Sequence, residues 1–324
     1  MARSAIRALA VGAALLGLAA CGTPANTPAP AAAGAFPIML ADAMGQVTIP
    51  KPPVRIAALD ASYVDAAIAL EAQVVAYTDY RGITGKLPSY LGADAETYGR
   101  DAQSVGDITS PSLEKIAALH PDLIVSAKVR HEQAYPQLKG IAPTVFSATT
   151  GPTWKDNIRL LGTALGRPAL ADQKIRAYEE RARRVGDAVR AKLGHNPVIS
   201  VVRFTDEATV RLYSATSFSG SVISDAGFAI NPTARAVEPG KISANLSPER
   251  ITDLDAEYLF VATWGDEKGA SKAQQSTFET NPLWSRLTGK IQNVDDLTWM
   301  TAVGLQGAGV ILDDIATTFG VAAT

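Results

Sequence analysis

From Phe36 onward, short apolar segments rich in Val and Ile alternate with stretches whose apolar residues recur at helical spacing. The pattern predicts buried strands at 54–60, 74–78, 123–127, 144–147, 198–204, 210–213, 258–263 and 291–294. It predicts helices at 63–70, 112–119, 132–138, 219–226, 248–254 and 306–319. Strand–helix alternation of this kind is typical of α/β proteins with mainly parallel sheets and helices on their faces.

The longest helical pattern separates the two series of strands. Between residues 170 and 193 the apolar residues step by three or four positions, there is no proline, and the remaining positions are mostly charged. We therefore expect two Rossmann-like lobes, over residues 36–168 and 194–324, joined by one long α-helix over residues 169–193. The alternative is an ordinary helix within one large domain.

The amino terminus has the pattern of an export signal. Arg3 and Arg7 precede an uncharged apolar stretch over residues 8–18, which is too short to cross a bilayer. The following Leu18-Ala-Ala-Cys21 resembles the lipobox of bacterial lipoproteins, which implies cleavage after residue 20 and acylation of Cys21. Residues 21–35 then read as the lipidated cysteine and a flexible tether. The alternative is a plain signal peptide with a chance cysteine.

Composition narrows the functional classes. The chain has 324 residues, with 30 Lys and Arg against 32 Asp and Glu, so the balance does not indicate a nucleic-acid-binding protein. One cysteine excludes an internal disulfide and a cysteine-built metal site, and three histidines without paired spacing argue against a histidine-built one. We find no phosphate-binding loop, nucleophile elbow or dinucleotide fingerprint. These observations favour a binding protein over an enzyme.

Several segments resemble a known family. These are residues 106–125, residues 128–145, Val202-Arg-Phe204 with residues 210–213, residues 217–221, and Asp296-Leu-Thr-Trp299. Together they resemble the substrate-binding lipoproteins of iron–siderophore ABC importers, a two-lobe class III group of periplasmic binding proteins, and residues 128–145 are similar to its ferric-hydroxamate branch. The resemblance implies capture of a ferric siderophore between the lobes and delivery to a dimeric ABC permease. It implies neither catalysis nor a cofactor, and we expect a lipid-anchored monomer on the extracytoplasmic face of the cell membrane.

Positions just past the strand ends face the cleft in open α/β lobes. A ferric siderophore needs aromatic surface for its organic shell and fixed donors for the oxygens around iron, and the chelator itself supplies the iron ligands, so we expect no protein metal site. The candidate ligand-binding residues are Tyr63, Tyr80, Arg81, Lys128 and Arg130 in the first lobe, and Arg203, Tyr213, Phe218, Trp264 and Trp299 in the second. For Arg203 and Trp299 the resemblance adds support. The alternative is that such aromatic residues cap the hydrophobic core and that such arginines are exposed side chains that contact only water.

The two lobes contain a faint internal repeat. Residues 112–127 align without gaps on residues 247–262, which places Glu114 and Glu249 at equivalent positions early in their helices. Acidic residues in a first helical turn are common for stability alone. The resemblance implies a second role, in which one carboxylate on each lobe docks onto arginines of the permease dimer.

Other functions remain open at this point. Haem or cobalamin could occupy the same cleft, with His131 or Tyr213 as an axial haem ligand. From other classes, the chain could be an extracytoplasmic hydrolase or a cell-envelope scaffold that has lost its ligand.

Overall fold

A computed structural model describes residues 34–80 and 83–323, which form one compact unit. The strands are β1 (Ile38–Asp42), β2 (Gly45–Ile49), β3 (Arg55–Ala58), β4 (Gln73–Tyr77), β5 (Gln103–Ser104), β6 (Leu123–Ala127), β7 (Thr144–Ser147), β8 (Val198–Phe204), β9 (Val210–Tyr213), β10 (Ala229–Ile230), β11 (Ser243–Leu246), β12 (Tyr258–Thr263) and β13 (Lys290–Val294). The helices are α1 (Ala61–Ala69), α2 (Gly92–Tyr98), α3 (Leu113–Ala118), α4 (Lys128–His131), α5 (Tyr135–Lys139), α6 (Trp154–Ala164), α7 (Pro168–Leu193), α8 (Phe218–Asp225), α9 (Pro232–Arg235), α10 (Ala270–Glu279) and α11 (Leu305–Phe319).

Lobe 1, which we define as the described residues before α7, is built on a parallel sheet. Its strands lie in the order β5-β4-β3-β6-β7, and every described pairing is parallel. The antiparallel hairpin of β1 and β2 forms a separate two-stranded sheet. Because all five strands run the same way, their carboxyl ends share one edge of the sheet.

Lobe 2, the described residues after α7, has a mixed sheet. The order is β11-β9-β8-β12-β13, with the short β10 also paired to β8. Strands β8, β10, β12 and β13 are parallel, whereas β9 runs antiparallel to β8 and to β11. This mainly parallel arrangement in both lobes, with helices packed on the sheets, confirms the predicted α/β fold class.

Helix α7 links the lobes. Its apolar face, which includes Ile175, Tyr178 and Val185, is buried against α6 of lobe 1 and α8 and α11 of lobe 2. The helix ends at Gly194, whose φ of +78° is the left-handed conformation that favours glycine at a helix terminus. At 1.5 Å per residue the helix is about 39 Å long, which suits a rigid connection.

The predicted strands agree closely with the structure, and two helix predictions need correction. The helix predicted over 132–138 is interrupted, because α5 begins anew with Pro136 in its first turn and proline cannot continue a helix from the preceding turn. The segment Pro248–Leu254 is a 3₁₀-helix with a non-helical Arg250. The lobe boundaries stay predictions. The predicted signal peptide and most of the predicted tether lie outside the described residues. No helix among those described combines the length and apolarity of a membrane span.

Candidate functional site

At the carboxyl edge of the lobe 1 sheet, a buried carboxylate fixes an exposed arginine. Asp60 follows β3 and caps α1, since its Oδ1 accepts hydrogen bonds from the backbone and hydroxyl of Ser62 at 2.9 and 2.5 Å. Its Oδ2 accepts from Nε of Arg130, in the helix after β6, at 2.9 Å. The Asp60 side chain is 5% exposed and that of Arg130 is 40% exposed. Arg130 is therefore anchored through Nε while its side chain remains partly exposed to solvent.

His131, next to Arg130, is used structurally. Its Nε2 lies 2.6 Å from the carbonyl oxygen of Ile108, so this nitrogen carries the proton and donates. Its Nδ1 then accepts from the Ser126 hydroxyl at 2.7 Å. Burial lowers the pKa of His131, which keeps the ring neutral. With both ring nitrogens engaged, His131 is not available as a haem ligand in this structure.

In lobe 2, the strand edge carries a buried ion pair. Arg203, near the end of β8, donates from Nε and Nη2 to the two carboxylate oxygens of Asp296 at 2.6 and 2.7 Å. The two side chains are 7% and 10% exposed. Burial by itself lowers the pKa of Arg203, but the hydrogen bonds to Asp296 and Tyr213 outweigh it and the pKa is raised. Arg203 is thus permanently charged, and its charge is already paired with that of Asp296 within the protein.

A second arginine, Arg211, lies beside Arg203 on the same face of the sheet. The two residues are cross-strand partners in β8 and β9, and Tyr213 follows two positions later, so all three side chains point the same way. Arg211 donates from Nε and Nη2 to the carboxylate of Glu207, in the turn between the strands. This hydrogen bond to Glu207, with a smaller contribution from Tyr213, raises the pKa of Arg211.

Five of the aromatic candidates are buried in this structure, so their role in ligand binding stays a prediction. Tyr63, Tyr80, Tyr213, Phe218 and Trp299 are 1%, 3%, 6%, 5% and 0% exposed. Trp299 stacks on Phe260 with ring centroids 4.7 Å apart, and Phe218 packs edge-on against Trp154 at 5.6 Å. Trp264, at the end of β12, is partly exposed. It is therefore the candidate ring with open surface.

A buried contact joins the lobes next to both strand edges. Asp65, one turn beyond the Asp60 cap in α1, accepts hydrogen bonds from the backbone N–H groups of Gln306 and Gly307 at 3.3 and 3.1 Å. These residues begin α11, which follows Asp296 and the π-helical turn Leu297–Thr301. A second contact is the hydrogen bond from Trp154 Nε1 to the Ser221 hydroxyl at 3.0 Å. The first contact joins α1, which Asp60 caps, to the start of α11, which follows Asp296.

Comparison with known proteins identifies the family of this two-lobe fold. The family profile for periplasmic binding proteins matches residues 56–292. The chain belongs to the periplasmic binding protein family. It is 34% identical over 288 residues to the "Probable siderophore-binding lipoprotein YfiY" of Bacillus subtilis, covering 84% of each chain. It is 27% identical over 296 residues to the "Fe(3+) dicitrate-binding periplasmic protein FecB" of Escherichia coli, covering 88% of this chain and 91% of that one.

A solved structure extends this similarity to three dimensions. The Staphylococcus aureus protein SirA in complex with staphyloferrin B superimposes with a TM-score of 0.79 and 28% sequence identity. The match covers 89% of this chain and 100% of that one. The family profile over residues 56–292 includes Asp60, Arg130, Arg203 and Arg211 of this periplasmic binding protein.

The remaining predicted site residues of this periplasmic binding protein lie at the surface or outside the described part. Lys128 is half-buried and pairs with Glu132 at 3.3 Å. Glu114 and Glu249 are exposed, each in the first turn of its helix. Arg81 and Cys21 lie outside the described residues. Among the residues that the structure does describe, no cluster of three His, Cys, Asp or Glu side chains could hold a metal ion.

Sequence reasoning missed the carboxylates that hold the arginines. Asp60 follows a strand end, the same signal that singled out Tyr80 and Arg130, so it could have been found. Arg211 could also have been found, because it precedes Tyr213 by two positions and shares its face. The pairing of Arg203 with Asp296 spans 93 positions along the chain and leaves no local signal.

One cavity lies apart from these residues. It has a volume of about 560 Å³ and opens in lobe 1 between β4 and the segment from Ile83 to Ala102. Its lining includes Lys86, Glu96 and Arg100, and it contains none of the predicted site residues.

Proposed function

We propose that this protein captures a ferric siderophore between lobe 1 and lobe 2, outside the membrane, and delivers it to a dimeric ABC permease. The observation that carries this proposal is that Arg130 lies at the carboxyl edge of the lobe 1 sheet and Arg211 lies beside the carboxyl end of β8 in lobe 2. Each is partly exposed and each is oriented by a carboxylate of its own lobe. Such pre-oriented guanidinium groups are suited to oxygen-rich ligands, because their planar fork offers several N–H donors in fixed directions.

The known relatives support the same ligand class. One similar protein is named for siderophore binding, another for Fe(3+) dicitrate, and the superimposed structure holds staphyloferrin B. In such a complex the chelator fills the coordination sphere of iron, so the protein supplies hydrogen bonds and packing to the chelator. We infer a binding protein without a catalytic step.

Haem is less well supported as the ligand. Both nitrogens of His131 are engaged with the protein, and Tyr213 interacts with Arg203 and Arg211. Both residues that the sequence suggested as axial haem ligands are therefore already engaged with other groups of the protein.

The proposal is tested by titrating the purified protein with ferric citrate, a neutral ferric trihydroxamate and haem. We expect at least one ferric chelate to quench tryptophan fluorescence through Trp264 and to raise the melting temperature, as binding to the native state does. Binding of haem alone, or of none of the three, would contradict the proposal.

Arg130→Gln will weaken binding of the ferric chelate about 10- to 100-fold, because hydrogen bonds from a charged donor contribute about 1.5–3 kcal/mol. The dissociation constant from fluorescence titration measures the effect. Arg159→Gln is the matched control, since Arg159 is 45% exposed and pairs with Asp156 and Asp172 on the helical surface. Equal affinities of the two variants would remove Arg130 from the site.

We further propose that Glu114 and Glu249 dock the protein onto the permease. Both side chains are exposed, one on each lobe. Glu114 lies in the helix that follows β5, and Glu249 lies in the helical segment that follows β11. One carboxylate per lobe matches the two related halves of a permease dimer and steers association. The same arrangement requires the protein to stay near the membrane, which a lipid on Cys21 would ensure; we propose a monomer on the extracytoplasmic face.

The double variant Glu114→Lys with Glu249→Lys will abolish uptake of the ferric siderophore in cells while the purified protein binds it normally. Charge reversal replaces attraction by repulsion at both contacts, so the loss should exceed that of either single change. Asp101→Lys with Glu279→Lys is the control, because these exposed acids lie toward the opposite, amino-terminal edges of the two sheets. Normal uptake by the first variant would refute the docking role.

A further inference from the structure

The three arginines at the strand edges differ in how their carboxylate partners are held. Arg203 and Asp296 are both nearly inaccessible to solvent, so separating them would leave two buried charges without a partner. Arg130 is bound through Nε alone to the buried Asp60. Arg211 is paired with Glu207, and the two side chains are 29% and 38% exposed. Of the three pairs, this one alone has a carboxylate that solvent reaches freely.

The pairing of Arg211 with Glu207 has the geometry of a bound ligand carboxylate. Nε of Arg211 faces Oε2 of Glu207 at 3.3 Å, and Nη2 faces Oε1, so two parallel N–H groups meet two oxygens. Glu207 comes from residues 205–209, the connection between β8 and β9, and lies four positions before Arg211. A solvent-exposed pair of this kind contributes little net free energy, because water solvates both separated charges well.

Arg211 lies close to the proposed ligand-binding residues of lobe 2. It is directly opposite Arg203 on the neighbouring strand, and Tyr213 interacts with both guanidinium groups. The backbone N–H of Trp264 donates to the carbonyl oxygen of Phe204 at 3.0 Å, which places the partly exposed Trp264 at the end of the same strand β8. A ligand that reached Trp264 and the end of β8 would therefore also approach the Glu207 turn.

We propose that Glu207 occupies Arg211 in place of a ligand carboxylate and is exchanged for one when a carboxylate-bearing ferric chelate binds. This inference rests on the proposed function and specifies its ligand class. The exchange replaces one carboxylate on the arginine fork by another and releases Glu207 into water, so no net charge is buried unpaired. A neutral chelate cannot offer this exchange and leaves the Glu207 pair intact. Glu207 then acts as a built-in competitor that sets selectivity toward carboxylate ligands.

The test compares the wild type with Glu207→Gln on two probes, ferric citrate and a neutral ferric trihydroxamate. The glutamine keeps the size of the side chain but removes the charge that competes for Arg211. We expect ferric citrate to bind about three- to tenfold more tightly to the variant, and the trihydroxamate affinity to be unchanged. Arg211→Gln should weaken ferric citrate binding, and adding Glu207→Gln to it should no longer strengthen binding.

Glu238→Gln is the matched control, because Glu238 is an exposed acid of the same lobe that pairs with Lys241. It changes the net charge equally and should leave both affinities unaltered. If the wild type binds a ferric chelate but Glu207→Gln changes both affinities alike, or weakens ferric citrate binding, the competitor role is overturned and the proposed function stands. If the wild type binds the trihydroxamate alone, the carboxylate class is wrong. If neither chelate binds, the proposed function itself fails.

Discussion

Trp299→Ala will lower the free energy of unfolding by about 3–5 kcal/mol, the cost typical of removing a large buried aromatic side chain. Trp299 is fully buried, its ring stacks on Phe260, and its Nε1 donates to Asp314 at 2.8 Å. The alanine variant loses all these contacts and leaves the Asp314 carboxylate without its donor. We expect the melting temperature to fall by about 5–10 °C.

Two further variants separate the contributions of the Trp299 ring and its N–H group from general effects of losing a tryptophan. Trp299→Phe keeps an aromatic ring and loses the hydrogen bond to Asp314, so it should cost much less than the alanine variant. Trp264→Ala removes a partly exposed ring and should leave the melting temperature nearly unchanged. A Trp299→Ala variant with wild-type stability and no ligand binding would instead support the ligand-binding role that the sequence predicts for this residue.

Most of the predicted strands are short apolar runs buried on both faces, a pattern that stands out in the sequence; β13, which is mostly exposed, is the exception. β6 and β7 match their predicted bounds, and all their residues are buried. The hairpin of β1 and β2 was not predicted, since its strands bury only Leu40, Val47 and Ile49. Helix α10 was also missed. Phe278 is its one large apolar residue, so the helix lacks the periodic apolar positions by which helices are predicted.

For the candidate site, the position of a residue after a strand end predicted where its side chain lies, but not how far that side chain is exposed to solvent. Arg130 and Trp264 do lie partly exposed at strand ends, as the rule requires. Trp299 does not, because the π-helical turn that contains it directs the ring onto Phe260 in the core. Exposure of these side chains depends on contacts between segments far apart in the chain, which local patterns do not contain.

The contact between Asp65 and α11 makes the stability of the packed lobes depend on pH. Asp65 is completely buried, and this burial raises its pKa from the ordinary value to about 7 despite the backbone hydrogen bonds from α11. The amide of Gln306, with its nitrogen toward Asp65, also donates to this carboxylate. Gly304 is required at this contact, since a Cβ there would lie 2.1 Å from Oδ1 of Asp65. The carboxyl therefore sits in a tightly packed position between the lobes.

The sign of the pH effect follows from the direction of this shift. A carboxyl whose pKa is higher in the folded than in the unfolded state retains its proton over a wider pH range when folded. Its contribution to stability is fully present below the unfolded pKa, near 4, and is lost as the pH rises through the folded pKa, near 7. The nearby Tyr80 and Tyr90 do not titrate in this range, because burial raises both of their pKa values further.

Asp65→Asn will therefore remove a pH-dependent loss of stability between pH 4 and pH 7, on the order of 4 kcal/mol in the wild type. Asparagine resembles the protonated acid in shape and charge, and Gln306 can turn its amide oxygen toward the new NH₂ group. Urea unfolding of both proteins at pH 4.5 and pH 7.5 measures the effect as the difference of differences, which cancels other titrating groups. The variant should gain on the wild type at pH 7.5 and have similar stability at pH 4.5. Parallel pH profiles for the two proteins would show that Asp65 is ionised throughout this range, held by the amino terminus of α11.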